Sequence, residues 1–266
     1  MTSFIGLPGA LAEIACPASE VTGLDRAVSE LVPFSGERIV QLGRRVRRSW
    51  SIDYGVEHPR DYAVLDALAR WESPLVWVGA LAQATNLLTP EQATLQSAEF
   101  AGGAGARAGL LDVGGMPVVT WAGGPSGGQV NITGDQRVPV RAGVPVTVSI
   151  WGQRAAANTS ARLSYWFRDA TGAQVEAETL SGSSSDDLVR RSWTLTPPPG
   201  AATLSVLIRD AAILALPQVT WTDGPVDWAP GRGVHRVVVV PGSESPIVAH
   251  RRQVLTGAAY TILEVG

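Results

Sequence analysis

The feature that most constrains this chain is a long run of short alternating segments between residues 86 and 231. Apolar and polar residues alternate within each segment, and clusters of turn-forming residues separate one segment from the next. The clearest segments are MPVVTWAG, VPVTVSIWGQ, ARLSYWFRDATG, LVRRSWTLTPPPGA, ATLSVLIRD and LPQVTWTDG. Alternation with period two is typical of half-buried strands, and no amphipathic helix pattern interrupts the run. The pattern therefore predicts an antiparallel β-sandwich.

The segment before this run carries a mixed pattern. Residues 38–55 (RIVQLGRRVRRSWSIDYG) predict one or two strands, and residues 74–81 (PLVWVGAL) predict a buried strand. Between them, residues 58–71 (HPRDYAVLDALARW) carry the one convincing helix pattern in the chain, with apolar residues at helical spacing and a proline suited to a first turn.

The segment after the run, residues 232–266, predicts strands alone. HRVVVVPG and PIVAHRRQ indicate two strands around a Pro-Gly turn, and AYTILEVG indicates a closing strand. So short a segment cannot form a hydrophobic core by itself. We therefore expect a mostly β protein in which residues 1–85 and 232–266 form one discontinuous β-sandwich or β-barrel domain with one helix. Residues 86–231 are then an insertion, which chains tolerate when the ends of the inserted segment lie close together.

Composition and charge exclude several classes of function. The hydrophobic content of 45% supports a sizeable core, and the net charge of −3 provides no global attraction to nucleic acid or to an acidic membrane. No apolar run reaches the length of a membrane span, so we predict no membrane insertion. Cys16 is the only cysteine, which excludes an intrachain disulfide and any zinc site that needs several cysteines. The N-terminus lacks the basic segment of a signal peptide, so we expect assembly in the cytoplasm.

No pattern of catalytic residues stands out. His58, His235 and His250 have no metal ligand at a useful spacing, and Asp186 and Asp187 are adjacent on a serine-rich segment where solvation is expected. The glycine-rich residues 101–109 lack the strand-to-helix context of a phosphate-binding loop, and indicate a flexible loop. We therefore predict no cofactor, no metal site and no enzymatic activity.

The densest charge in the chain is GRRVRRSW, which contains Arg44, Arg45, Arg47 and Arg48. On a strand these arginines fall on both faces, which does not suit a sheet with one buried side. Either a bulge interrupts the strand or one face meets another subunit. We predict a subunit interface here. The alternatives are a solvated face and nucleic-acid binding, and the acidic overall balance disfavours sequence-specific contact with nucleic acid.

Two tryptophans lie on the polar faces of their predicted strands. In ARLSYWFRDATG, Leu163, Tyr165 and Phe167 share the core face, so Trp166 lies on the opposite face. Trp151 is likewise on the polar face of VPVTVSIWGQ. If these strands are neighbours, the two rings form a platform on which the apolar face of a sugar stacks, while planar polar groups bind its hydroxyls. The predicted carbohydrate-binding residues are Trp151, Trp166, Arg162, Arg168 and Gln153. Alternatively, the rings cover a sheet edge, pack under a loop or meet another subunit.

The order of several segments resembles the carbohydrate-binding jelly rolls of xylanases and related glycanases. The matching segments are NLLTP, VRAGVPVTVSIWGQ, LSYWFRDATGAQV, RRSWTLTPPPGAATLSVLI and LPQVTWTDGPVDWAPGRG. The resemblance covers residues 86–231 and implies that this inserted domain is an antiparallel jelly-roll β-sandwich.

The two ends resemble minor tail proteins of bacteriophages that infect high-GC actinobacteria, through FSGERIVQLGRRVRRSW and the terminal TILEVG. This resemblance implies a distal tail or baseplate protein that forms a ring, a hexamer by the plan of such proteins, in the virion tail. Its partners are then other copies of itself, neighbouring tail tube, tape-measure or tail-hub proteins, and host cell-wall polysaccharide. The rival interpretations are a stand-alone carbohydrate-binding protein and a glycan-cleaving enzyme.

Overall fold

The computed structural model describes residues 2–14, 18–31, 39–55, 59–95, 106–113, 116–123, 128–134, 137–155, 161–182, 185–233, 235–250 and 253–265. Its strands are β1 (Ser3–Leu7), β2 (Ala10–Ile14), β3 (Ser19–Leu31), β4 (Ile39–Asp53), β5 (Leu75–Val78), β6 (Ala106–Val113), β7 (Met116–Ala122), β8 (Gly128–Asn131), β9 (Val138–Pro139), β10 (Val146–Arg154), β11 (Arg162–Arg168), β12 (Gln174–Ser181), β13 (Val189–Leu195), β14 (Thr203–Thr220), β15 (His235–His250) and β16 (Gln253–Glu264). The helices are α1 (Pro59–Leu68), α2 (Ala80–Thr85) and α3 (Pro90–Ala93).

The predicted fold class is confirmed, because strands account for 57% of the chain and the sheets are antiparallel, with the curl of a β-sandwich. Helix α1 lies where the helical pattern predicts it. The short helices α2 and α3 are additional. Helix α3 begins with a capping box, in which the Thr89 side chain accepts a hydrogen bond from the Gln92 backbone and the Gln92 side chain accepts one from the Thr89 backbone.

The chain divides into two compact units. The first unit comprises Met1–Gly6, Ala12–Trp77 and His235–Gly266, and the second comprises Leu7–Leu11 and Val78–Val234. The predicted domain bounds, 1–85 with 232–266 and 86–231, stay a prediction, because compactness alone does not show that a segment folds by itself.

The first unit is built on a seven-stranded sheet with strand order β2-β1-β5-β15-β16-β4-β3. Helix α1 contributes Tyr62 and Leu65 to the core of this unit. The remaining buried core residues are Ile5, Ile14, Trp50, Ile52, Tyr54, Leu75, Trp77, Val237, Val239, Ala258, Tyr260 and Ile262. Strands β5 and β15 are antiparallel neighbours, with Trp77 opposite His235, so the chain leaves and re-enters this sheet at adjacent positions.

The predicted Pro-Gly turn in the C-terminal segment is wrong. Pro241 and Gly242 lie inside β15, which continues for 16 residues and pairs with β16 along its length. The pairing register shifts between Pro241 and Glu244, so these residues form an irregularity within one strand. Because proline has no N–H to donate to a ladder, it is tolerated in a strand at such irregular positions.

The second unit is organised around β14, an 18-residue strand that changes its neighbours halfway. Residues 203–209 pair with β11, while residues 211–220 pair with β10. Asp210 lies at the change, with a φ of 60°. The sequence pattern predicts two separate strands here, and the structure joins them into one.

The inward faces of these strands carry the predicted apolar positions. The buried residues there are Val146, Val148, Ile150, Leu163, Tyr165, Phe167, Leu204, Val206, Ile208 and Val219.

Asn86 joins the opening and closing segments of the second unit. Its side-chain amide is fully buried and donates to the carbonyl oxygens of Pro217 (3.2 Å) and Ala229 (3.0 Å). Its Oδ1 accepts from the backbone N–H groups of Leu88 (3.1 Å) and Val219 (3.2 Å). All four hydrogen-bonding positions of this side chain are therefore used to hold the two ends of the unit on β14.

Candidate functional site

The candidate site is the polar face shared by β11 and the first half of β14. Arg162, Ser164, Trp166 and Arg168 alternate on this face of β11. Directly opposite them on β14 are Arg209, Leu207, Ser205 and Thr203. We call these eight residues the Trp166 face. The alternation in ARLSYWFRDATG places the β11 residues as predicted, because Leu163, Tyr165 and Phe167 occupy the buried face.

Trp166 lies at the centre of this face between two small residues. Ser205 is its partner on β14 and Ala177 its partner on β12. The ring is half-buried, and its indole N–H makes no hydrogen bond to any residue in the described part of the chain. Small neighbours on both sides leave part of this large flat ring uncovered. Such a ring offers an apolar surface to a flat partner.

Unpaired polar atoms lie beside the ring. Arg168 donates from Nη1 to the carbonyl oxygen of Gly172 at 3.0 Å, while its Nε is buried and has no hydrogen-bond partner among the described residues. Thr203 lies directly opposite Arg168 and is 8% exposed. Its Oγ1 is also buried and has no hydrogen-bond partner among the described residues. A buried unpaired polar atom costs about 1–3 kcal/mol.

The other end of the Trp166 face carries two arginines with different surroundings. The Nε and Nη2 atoms of Arg162 each lie 2.5 Å from Oδ2 of Asp210, so this guanidinium is held at the point where β14 changes its neighbours. The Nε of Arg209 is buried and has no partner among the described residues. Sequence reasoning missed Arg209, Thr203 and Ser205, because only the pairing of β14 with β11 brings them beside Trp166.

Trp151 and Gln153 lie elsewhere in the second unit. Strands β10 and β11 do not pair with each other, and Trp151 lies opposite Ala215 on β14, ten positions from Ser205, the partner of Trp166. Trp151 packs against Ala215 and Leu216 in a cluster that also includes Val118, Leu188 and Trp228. The side chain of Gln153 donates to the carbonyl oxygen of Asp186. The structure thus brings Trp166, Arg162 and Arg168 onto one face and separates Trp151 and Gln153 from them.

A polar network extends along the strand face that carries Trp151. Arg190 Nη2 donates to Ser149 Oγ (3.1 Å), to Gln218 Oε1 (2.8 Å) and to the carbonyl oxygen of Val226. Gln218 in turn donates to the carbonyl oxygens of Thr85 (2.7 Å) and Asp227 (2.9 Å). These contacts attach the segment around residues 226–228 to this face. Trp151 is therefore a packed residue beneath a loop, which is one of the alternatives left open by the sequence.

The arginine cluster lies on β4, next to an irregularity in its pairing with β3. Strand β3 pairs Arg26 with Val46 but Val28 with Leu42, so an irregularity separates the two halves of the hairpin. Arg47 is exposed, and Arg48 is half-buried and donates its backbone N–H to Glu264 Oε2 at 2.9 Å. Arg44 and Arg45 belong to β4, and their side chains lie outside the described residues. The predicted role of all four arginines in a subunit interface stays a prediction.

The described residues contain no group of three or more His, Cys, Asp or Glu side chains arranged to hold a metal ion. Cys16 and His58 lie outside the described residues, and His235 and His250 mark the ends of β15. Of the predicted flexible loop 101–109, residues 106–109 belong to β6 and the others lie outside the described residues. No described helix has both the length and the apolar character of a membrane span.

Comparison with protein-family models and with curated proteins finds no match. Among solved structures, the enzymatically active domain of bacteriophage CBA120 tailspike protein 4 aligns with 52% of this chain at 10% identity and a TM-score of 0.37, and the alignment covers 21% of that domain. The CBM22-1 xylan-binding domain of Paenibacillus barcinonensis Xyn10C aligns with 53% of this chain at 15% identity and a TM-score of 0.32, over 99% of its own length. A family 16 carbohydrate-binding module aligns with 46% of this chain at 16% identity and a TM-score of 0.30, over 84% of its own length.

Proposed function

We propose that this protein is a non-enzymatic structural protein that binds polysaccharide on the Trp166 face. The observation that carries the proposal is Trp166 itself, a half-buried ring between Ser205 and Ala177 on a polar strand face, beside the unpaired Thr203 Oγ1 and Arg168 Nε. The ring stacks on the apolar face of a sugar, and the half-buried side chain of Arg168 on the same face binds its oxygens. A flat, single-ring site binds weakly, so several copies acting together are needed for firm attachment.

The test is binding of the full-length chain to bacterial cell-wall polysaccharide, measured by affinity gel electrophoresis and isothermal titration calorimetry. Trp166→Ala is expected to weaken binding about tenfold or more, which corresponds to about 1.4 kcal/mol. The matched control is Trp71→Ala, because Trp71 is 49% exposed and belongs to the first unit, whereas the Trp166 face belongs to the second. Equal binding by wild type and Trp166→Ala contradicts the proposal.

We further propose that the first unit assembles into a ring in a phage virion tail, where its partners are tail tube, tape-measure or tail-hub proteins. The resemblance of the two chain ends to minor tail proteins supports this proposal. It is also supported by the open edges of the seven-stranded sheet, at β2 and at the 13-residue β3, which pairs only with β4 among the described strands. Unpaired strand edges bind further strands, and head-to-tail contacts between copies close into rings.

Mass photometry of the full chain tests the ring. We expect a closed oligomer of about six copies, and such a ring raises the avidity of a weak glycan site by a factor of about 10²–10⁴ when several copies engage together. A chain that stays monomeric at every concentration and is missing from purified virions contradicts the tail assignment. That result leaves glycan binding by a stand-alone protein as the function.

A further inference from the structure

We infer that the Trp166 face selects a polysaccharide that carries repeated negative charge. This inference rests on the proposed glycan binding and specifies its ligand class. Its basis is a local excess of arginine on this face, in a chain whose net charge is −3.

Three arginines near Trp166 have no carboxylate partner in the described part of the chain. Arg168 and Arg209 lie on the Trp166 face itself, and the Nε of each is buried without a hydrogen bond. Arg137 joins them at one end, since its Nη1 lies 3.2 Å from the point where a side-chain carbon on Gly172 would stand. Arg168 donates to the carbonyl oxygen of the same Gly172. Two guanidinium groups therefore converge on one turn.

The nearby carboxylates are directed or bonded elsewhere. Glu176 and Glu178 of β12 lie on the opposite strand face, where both accept hydrogen bonds from the Tyr165 hydroxyl at 3.0 and 3.1 Å. Asp169 accepts from the backbone N–H groups of Thr171 and Ala173, both at 2.9 Å, within its own turn. Asp210 is paired with Arg162. The Trp166 face is therefore positively charged.

The spacing of the arginines favours a polymer over a single charged sugar. Arg168 lies opposite Thr203, and Arg209 lies six positions further along β14. At about 3.3 Å per residue, the two ends of the face are roughly 20 Å apart, with Trp166 between them. Hydrogen bonds from a guanidinium to an anionic group are about twice as strong as those between neutral groups. A chain of sugars that stacks on Trp166 and presents an acid group at each end pairs with the half-buried guanidinium groups of Arg168 and Arg209.

The shared ligand chemistry is an anionic oxygen, which a uronic acid supplies as carboxylate and a teichoic acid supplies as phosphodiester. The test measures binding of the full-length chain to three probes: polygalacturonate, purified wall teichoic acid and neutral xylan. We expect binding to at least one anionic probe at least tenfold tighter than to xylan, and weaker as salt concentration rises. The anionic probe that binds with the higher affinity identifies the source of the charge.

Variants locate the charge recognition. Arg209→Gln is expected to weaken anionic binding about fivefold to tenfold and to leave xylan binding unchanged. Arg168→Gln is expected to weaken anionic binding by a larger factor than it weakens xylan binding, because Arg168 also contacts neutral sugar. Arg70→Gln is the matched control, because the Arg70 side chain is 81% exposed and belongs to the first unit. Far-UV circular dichroism and melting temperature verify that each variant is folded, and Arg168→Lys, which keeps the charge, is expected to recover part of the affinity.

The outcomes separate this inference from the proposed function. Equal affinity for xylan and the anionic probes, with loss of both in Trp166→Ala, overturns the charge selection and keeps the glycan site. Anionic binding that survives the double variant Arg168→Gln/Arg209→Gln also overturns it, because the charge is then recognised elsewhere on the molecule. Failure of wild type to bind any of the three probes or whole cell-wall polysaccharide overturns the proposed function itself.

Discussion

At residue 210 the backbone adopts a left-handed conformation that few side chains other than glycine tolerate. Asp210 has a φ of 60°, and its carboxylate binds Arg162 from the neighbouring strand. Aspartate and asparagine enter this region more readily than other residues because their short polar side chains bond locally. The same residue thus sets the backbone turn and fixes an arginine beside it, at the point where β14 changes its neighbours.

Asp210→Ala is expected to lower the free energy of unfolding by roughly 1–3 kcal/mol, since alanine loses both the tolerance for this backbone region and a partly exposed ion pair. Asp210→Asn keeps the backbone tolerance and is expected to cost about half as much. Urea denaturation measures both values. Asp223→Ala, at an exposed position, is the control, and an Asp210→Ala variant as stable as this control contradicts the role given to residue 210.

The buried tyrosines of the first unit predict a loss of stability at alkaline pH. Burial, together with the charges of Asp66 and Glu244 and the neighbouring Tyr62, raises the pKa of Tyr260 to about 12. Burial also raises the pKa of Tyr62, whose hydroxyl donates to Glu244 at 2.9 Å. In the unfolded chain tyrosine titrates near pH 10. The stabilisation is therefore complete below about pH 10 and is lost as the pH rises towards 12, because only the unfolded state releases the protons.

Tyr260→Phe removes one of these titrating hydroxyl groups. We therefore expect the free energy of unfolding to fall less steeply between pH 10 and 12 in this variant. Chemical denaturation at a series of pH values, with a parallel tyrosinate absorbance titration, measures the effect. An unchanged pH profile in this variant means that Tyr260 does not contribute to it.

At the scale of elements, the molecule depends on strands that contact more neighbours than the sequence reveals. Strand β14 pairs with β11 along its first half and with β10 along its second half. The side chain of Asn86 joins the opening and closing segments of the second unit to the C-terminal end of β14. Hydrogen bonds from one buried side chain thus hold segments more than 130 positions apart in sequence, such as residues 86 and 217.

Asn86→Ala is expected to lower the free energy of unfolding by about 3 kcal/mol or more, because two backbone N–H groups and the Ala229 carbonyl oxygen lose this partner. The Pro217 carbonyl oxygen keeps its bond from Trp228. Asn131→Ala is a useful comparison, since Asn131 also bonds to its own turn but is exposed. Thermal and urea denaturation compare the two variants. A cost for Asn86→Ala no larger than for Asn131→Ala contradicts the joining role of Asn86.

Period-two alternation predicted the strands of the second unit well, and Leu163, Tyr165 and Phe167 show why. Each contributes to the core locally, so its face can be assigned from its own segment. The difference in surroundings between the two tryptophans was not predictable in that way, because Trp151 and Trp166 share the same local pattern. Their different surroundings arise from pairing with residues far away in the chain. Similarly, Arg209 and Thr203 entered the candidate site only through the register of β14, and the Pro-Gly pair inside β15 is tolerated only because β16 pairs around it.

At the scale of the whole molecule, residues 78–234 contribute nothing to the pairing of β5 with β15 in the sheet of the first unit. Trp77 lies opposite His235 in the antiparallel pair of β5 and β15, and Leu75 lies opposite Val237. Directly opposed residues in such a pair have Cα atoms about 4.5–5.5 Å apart, the distance that a two-residue hairpin turn spans.

Replacing residues 78–234 by Asn-Gly is therefore expected to yield a soluble, cooperatively folding protein in which β5 and β15 form a hairpin. Circular dichroism and a sigmoidal thermal transition measure the result. In the matched control, the same turn joins Val76 to His235. This shift of one residue turns the apolar face of β5 away from the core and is expected to abolish folding. If the variant that joins Trp77 to His235 is unfolded, this result contradicts the prediction that the two chain ends form one discontinuous domain.

The adjacency of Trp77 and His235 also has a consequence for how such a chain diversifies. A gene rearrangement that exchanges everything between these two positions changes what the molecule can recognise and leaves the ladder of the seven-stranded sheet intact. A new inserted segment can thus be acquired by recombination at these two positions, without compensating changes in the seven-stranded sheet.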